Sequence, residues 1–421
     1  MSIIWKINFS KHTLYYTDKQ DKTIQILLIL FGFLMPLTVA GGNSLALIII
    51  LFWLLGGNLS KKINAIKHDK VAIASMLFFF LFVLGLFWSE NLTNGLKITK
   101  KMLEFGILLP VLLSFTHKKN INYYLNGFLS AILIMTITSY SIFWEIIPPI
   151  FRGSEITNPT SFMSSISYTP FLTIAAYILA QRIFLGLKEF YKNPSTTILE
   201  IIFFIVVSIN IFFTAGRAGQ YAYIILLFVF AFQKYGFKIK IFFYSTIISA
   251  LILIMAFYSF NNFNNRVVST VNNISKYQTN PASSVGHRIN FNINSIRIFL
   301  ENPIFGVGTG DFSSEYSKEN LLFKRKNKLS SNQSVETTNP HNMHLFILTN
   351  FGILGFLIYM YFFWTLYTSA KHELDQNIKE LSYAFLIFFV LINFSDSYMF
   401  GHFTSFLFVF IASFLFKNEK K

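Results

Sequence analysis

The chain has 421 residues, of which 53% are hydrophobic, 18% aromatic and only 13% charged, with 52 Phe, and that balance excludes a soluble globular protein. The formal net charge of +16 could point to nucleic acid, but Lys and Arg sit mainly in short loops between apolar runs, where they act as topology signals. With no cysteine there is no thiol nucleophile, no disulfide and no zinc-thiolate site.

Apolar runs near the length that crosses roughly 30 Å of hydrocarbon recur from end to end. The expected fold class is therefore an all-α polytopic membrane protein. Lys6, Lys11, Lys19 and Lys22 precede the first run, which lacks a small-residue cleavage site, so no cleavable signal peptide is expected. Twelve spans are predicted, near 23–40, 43–57, 71–88, 102–115, 122–147, 168–185, 197–213, 219–232, 240–259, 343–367, 380–397 and 402–416. This divides a single integral membrane domain into spans 1–9 (1–259), a large loop (260–342) and spans 10–12 (343–421).

If the N-terminus is cytoplasmic, the segments on that side hold 21 Lys and Arg. The short loops opposite hold five: Lys97, Lys100, Lys101, Arg152 and Arg217. Both termini are then cytoplasmic and the large loop faces outward. In that loop the Asn-rich stretch from Asn261 to Asn273 reads as irregular. From Ser284 to Leu300, Ile289, Ile293, Ile296 and Leu300 recur at helical spacing, predicting an amphipathic helix on the membrane or over a cavity. Pro303 and Gly306-Val307-Gly308-Thr309-Gly310 end it. Ser313–Thr338 reads as polar and mobile.

The orientation gathers the chemistry on one face. Arg217 lies in a turn of small residues, Thr214-Ala215-Gly216-Arg217-Ala218-Gly219. Its planar fork suits a phosphate, and the alternative is an arginine snorkelling to the interface. Arg288, preceded by His287, stands near a helix start, where backbone N–H groups add donors for an anion; the alternative is a contact with lipid head groups. His341 and Asn342 open a span, with Asn339 or Asn342 as cap and Pro340 forcing the residue before it out of helix. At a helix N-terminus the dipole favours a neutral imidazole able to accept a proton; the alternative is a histidine with a purely structural role.

Other signals are weaker. Gly306-x-Gly-x-Gly310 follows no strand, so it reads as a turn and not as a nucleotide loop. Glu155, Asp311 and Glu315 are scattered, with no Asp-x-Asp pair, so no metal and no cofactor are expected. Glu104, Glu145, Glu200 and Asp396 fall in or beside apolar spans and read mostly as buried hydrogen-bond anchors; His402 lies near Asp396 in sequence. A transporter would place such acids on an ion path, but no internal repeat supports one.

Three motifs together resemble the O-antigen ligase family: Thr-x-x-Arg from Thr214 to Arg217; His287-Arg288 leading to Asn-Pro-x-x-Gly-x-Gly from Asn302 to Gly308; and His-Asn-x9-Gly-x-x-Gly from His341 to Gly355. The family shares this region with O-antigen polymerases and protein O-oligosaccharyltransferases, and the motifs cover about residues 200–370. The resemblance implies a class C glycosyltransferase-like fold and an inverting, metal-independent glycan transfer on the periplasmic side of the inner membrane. The donor it implies is a glycan on undecaprenyl diphosphate, the acceptor the lipid A-core of lipopolysaccharide. It further implies that Arg217 and Arg288 hold the diphosphate and that His341 is the base, with His287 and Asn342 in support. A departure is Gly216, where the family often has Ser before its Arg, so a hydroxyl contact is expected to be missing there.

Overall fold

The computed structural model describes residues 14–151, 153–188, 190–191, 194–275, 283–326 and 336–418. Lys6, Lys11, Arg152, Lys192, Lys328, Lys420 and Lys421, used above for orientation or loop character, lie outside the described residues. In chain order the helices are α1 (Lys19–Leu34), α2 (Val39–Leu55), α3 (Leu59–Lys67), α4 (Lys70–Leu84), α5 (Leu92–Lys101) and α6 (Leu109–Phe115), the last reached through a π-helical turn at Glu104–Leu108. There follow α7 (Ile121–Phe143), α8 (Ser165–Lys188), α9 (Pro194–Phe213), α10 (Arg217–Tyr235), α11 (Ile239–Ser259) and α12 (Asn261–Ser275). The last are α13 (Ser284–Glu301), α14 (Phe312–Lys326), α15 (Met343–Lys371), α16 (Gln376–Ile392) and α17 (His402–Leu415).

The fold is all-helical among the described residues, and a helix lies on each of the twelve apolar runs. Five of these helices (α7 with its leading turn, α8, α9, α11 and α15) are long and apolar enough to cross a membrane. The bent pair α2 and α3 makes a sixth if it is one span. Runs such as 71–88 and 402–416 yield the shorter apolar helices α4, of 15 residues, and α17, of 14. The rows of Phe and Leu that made the chain too apolar for water pack into one continuous core through α1, α4, α6–α8, α10 and α15–α17. Phe78 of α4, for example, touches Phe82, Phe105, Tyr359 and Phe362. On the other side α11 leaves Leu251, Ile254 and Met255 uncovered, as a lipid-facing helix does.

Three expectations for 260–342 change. The Asn-rich stretch is the helix α12, because Phe263 buries against Phe212, at 5.4 Å between rings, and Asn262 Nδ2 donates to the Phe213 carbonyl; tertiary anchoring outweighs low helix propensity. The polar stretch after Ser313 begins as α14, held by the buried rings of Phe312 and Tyr316, which pack on Phe346 and Phe291. Finally α13 is where the spacing put it, but its buried face is Gly286, Asn290, Phe291, Asn294, Ser295 and Ile298. Of the predicted apolar stripe, Ile289 and Ile293 are half-buried and Ile296 and Leu300 exposed.

The two glycine motifs lock together. At Gly352 the α15 backbone leaves helical geometry (φ 61°, ψ −161°), and residues 303–308 dock into the break. Ile353 and Leu354 donate to the carbonyls of Pro303 and Ile304, at 2.9 and 3.4 Å, while Val307 and Gly308 donate to those of Thr349 and Asn350, at 3.0 and 2.9 Å. Broken helices inside a membrane protein persist only where other protein groups satisfy the freed amides and carbonyls. The Gly306–Gly310 run is thus a docking loop; beyond it Asp311 accepts from the Glu90 and Asn91 amides, at 2.8 and 2.7 Å, and joins the loop to the α4–α5 corner.

Candidate functional site around His341

Asn342 is the N-cap of α15; its side-chain oxygen accepts from His344 N and Leu345 N, at 3.0 and 3.2 Å. That fixes the cap between the two candidates and leaves His341 one residue ahead of the helix. His341 sits at φ 54°, a left-handed conformation that a non-glycine residue holds only when its surroundings enforce it. Here Asn339 Oδ1 accepts from His341 N and from Ser397 Oγ, at 3.0 and 2.8 Å, and Met343 N donates to the Asn393 carbonyl at 2.8 Å. The loop before α15 is thereby stitched to the segment after α16. Removing the cap with Asn342→Ala is expected to cost about 1 kcal/mol of stability, measurable as a lowered unfolding midpoint of the purified protein.

This stitching brings Asp396 to the imidazole: His341 Nδ1 lies 3.1 Å from Asp396 Oδ1. Asp396 is only partly buried and also accepts from Ser397 N, at 2.7 Å. A carboxylate can only accept, so Nδ1 carries a proton, and in the neutral ring the lone pair is then on Nε2. Asp396 is thus a hydrogen-bond anchor for the His341 ring, while His402, its neighbour in sequence, faces Glu104 at 3.9 Å and Asn43 at 3.3 Å. The ring of His341 also stacks on Phe291, with centroids 5.6 Å apart and planes at 26°.

Phe291 carries the link to α13. One turn before it stand His287 and Arg288, and the His287 ring is nearly parallel to that of Phe291 at 6.3 Å. Burial pushes the His287 imidazole down from its ordinary range, and its Nδ1 has no hydrogen-bond partner among the described residues. Arg288 is partly buried, and its charge acts on Tyr221 of α10 and on Tyr398, which also feels Asp396.

Arg217 is the first residue of α10 and partly buried, so it is incompletely hydrated, and the charges of Arg266 and Arg288 act on it. Arg266, on α12, was not singled out in the sequence because the surrounding stretch read as irregular. The turn carrying Arg217 is held from several sides. Asn158 Oδ1 accepts from Ala215 N at 2.9 Å, Gln220 Nε2 donates to the Thr214 carbonyl at 2.7 Å, and Thr169 Oγ1 donates to the Gly216 carbonyl at 3.0 Å. A Cβ on Gly216 would overlap Thr169 Oγ1 and the Ser165 carbonyl. The hydroxyl missing at 216 thus has a counterpart in Thr169, which fills the space a serine would need. Gly216→Ser is expected to lower thermal stability, and Thr169→Ala in the same chain to restore part of it.

Arg217, Arg288 and the His341–Asp396 pair, from four separate parts of the chain, therefore share one neighbourhood. Among the described residues no group of three His, Asp or Glu side chains is arranged to hold a metal ion. Such a site offers fixed positive charge next to an imidazole that, when neutral, presents Nε2 as an acceptor, a combination suited to an anionic leaving group and a hydroxyl nucleophile.

No curated protein matches the chain. A family model described as O-antigen ligase matches residues 202–360, from within α9 to within α15, a stretch that holds Arg217, Arg288, His341 and both halves of the glycine lock. Over that stretch the chain is similar to the O-antigen ligase family, glycosyltransferase-like enzymes of the membrane.

Proposed function

We propose that this protein is an O-antigen ligase that moves a glycan from undecaprenyl diphosphate to the lipid A-core of lipopolysaccharide, with inversion and without a metal. The observation that carries the reading is the His341–Asp396 pair, at 3.1 Å, in the neighbourhood of Arg217 and Arg288. The acceptor hydroxyl oxygen attacks the anomeric carbon as the bond from that carbon to the diphosphate oxygen breaks. The hydroxyl proton passes to His341 Nε2, and Asp396 offsets the charge that appears on the ring. The electron pair of the broken bond leaves on the diphosphate, where Arg217 and Arg288 stabilise it. A single displacement from the opposite face inverts the anomeric configuration. The donor arrives activated, so no nucleotide is needed.

In this reading all twelve apolar runs are spans in the inner membrane, both termini are cytoplasmic, and 260–342 with its helices faces the periplasm. The test is a metal-free assay of purified protein with undecaprenyl-diphosphate glycan and lipid A-core. Glycan on lipid A-core, reduced at least about 10²-fold by Arg288→Ala, is the expected result. Longer lipid-linked chains in place of that product would make the protein a polymerase, and glycan on a protein hydroxyl an O-oligosaccharyltransferase. No covalent product in any arm overturns the enzymatic reading.

A further inference from the structure

At the far end of α17 from His402 the chain builds a second charged site that glycan transfer does not use. A cavity of about 540 Å³ opens there, lined by Tyr15, Lys61, Asn64, Ala65, His68 and Asp69 together with Leu113, Ser114, His117, Lys119, Lys417 and Asn418. The fourteen residues of α17 separate it by about 20 Å of helix from the corner that carries Asp396.

Its charge is unbalanced. Three lysines face one carboxylate, Asp69, which caps α4 through the Val71 and Ala72 amides, at 2.9 and 3.0 Å; of the three, Lys417 donates its Nζ to the Thr116 carbonyl and acts on Asp69. Asp21 lies behind the wall and is taken by His117 Nε2 at 2.9 Å. Lys61 has no hydrogen bond or ion pair among the described residues, and Lys119 has only the face of Tyr15, at 4.2 Å. His68 Nδ1 donates to the Asn64 carbonyl at 2.7 Å, which leaves Nε2 for a ligand. Lys62, next to Lys61, is different: it donates to the Trp53 carbonyl at 2.6 Å and covers the Trp53 ring.

The wall formed by α3 says where this cavity sits. α3 turns 115° away from α2, so it runs along the membrane plane if α2 crosses it. Leu59, Ile63 and Ile66 fall on one side of α3, with Leu59 and Ile63 exposed, and Lys61 lies on the opposite side. An apolar stripe flanked by Lys62 and Lys67, with Lys61 opposite, is the pattern of a helix lying in the head-group layer.

We infer that the cavity binds the phosphate of an anionic phospholipid head group, with Lys61 and Lys119 as the cations that reach it, Lys417 adding charge to the wall, and His68 as a further donor. A bulk-solvent anion is disfavoured as occupant because the entrance lies beside a surface-seeking helix, at the depth where lipid phosphates are concentrated. On the orientation proposed above this is the cytoplasmic leaflet, but the site does not depend on the ligase reading.

The test uses the purified full chain, delipidated in detergent, titrated with phosphatidylglycerol, phosphatidylcholine or inorganic phosphate and followed by native mass spectrometry and by the unfolding midpoint. Phosphatidylglycerol is expected to bind and to raise the midpoint, with phosphatidylcholine at least tenfold weaker. Lys61→Gln and Lys119→Gln are each expected to weaken phosphatidylglycerol binding about fivefold. Lys61→Gln removes no contact within the protein, so its lipid-free midpoint stays that of the wild type, and Lys371→Gln, outside the cavity, leaves binding unchanged. Equal binding of the two lipids, an undiminished response in Lys61→Gln, or inorganic phosphate competing at equal concentration would each overturn the inference.

Discussion

Replacing His341 with alanine is expected to lower kcat of glycan transfer by about 10²- to 10⁴-fold, the range that a positioned general base contributes, with little change in the KM for the lipid-diphosphate donor. The split matters, because the two arginines and not the imidazole are assigned to the diphosphate. Asp396→Asn is the more discriminating partner experiment. An amide that donates to Nδ1 would move the ring proton to Nε2 and remove the lone pair that takes the hydroxyl proton. An amide that presents its oxygen would keep the tautomer, so Asp396→Asn is expected to fall between wild type and His341→Ala, and Asp396→Ala below Asp396→Asn. Steady-state kinetics with both substrates varied distinguishes the outcomes. A large rise in donor KM with unchanged kcat in His341→Ala would assign the histidine to binding instead.

Arg217, Arg288 and His341 stand out in the sequence as candidates, because a cation or a histidine in a small-residue turn or at a helix start contrasts with an apolar background. Asp396 did not stand out as their partner. Its carboxylate reaches a ring 55 residues earlier, and only the packing of α15 on α16 and the bonds from Asn339 to His341 and Ser397 decide that meeting. Arg266 was missed for a related reason: the helix that carries it is specified by one buried phenylalanine in a run of asparagines. The apolar runs themselves were plain in the sequence, since hydrophobic length is a local property. The face that α13 buries was not, because an amphipathic pattern alone does not say whether the apolar side meets protein or lipid. In α13 a mixed face, Phe291 and Ile298 among small and polar residues, meets the protein.

Gly352→Ala is expected to be among the most damaging single-methyl changes in the chain. At φ 61° and ψ −161° the backbone is in a region open essentially to glycine, which costs an alanine roughly 1–3 kcal/mol. Its Cβ would also overlap the Ile304 carbonyl, so residues 303–308 must withdraw from the break in α15. Withdrawal exposes the amides of Ile353 and Leu354 and the carbonyls of Thr349 and Asn350, each costing about 1–3 kcal/mol if left unpaired. Gly236 supplies the control: it too has positive φ, 82°, but a Cβ there meets nothing within 4 Å, so Gly236→Ala carries the backbone strain alone. The unfolding midpoint is expected to drop clearly further for Gly352→Ala than for Gly236→Ala. Activity is expected to fall with it, because the loop that docks at Gly352 joins the end of α13, which carries Arg288, to the helix that follows His341. Equal midpoints for the two variants would mean that the break in α15 is held by something other than this loop.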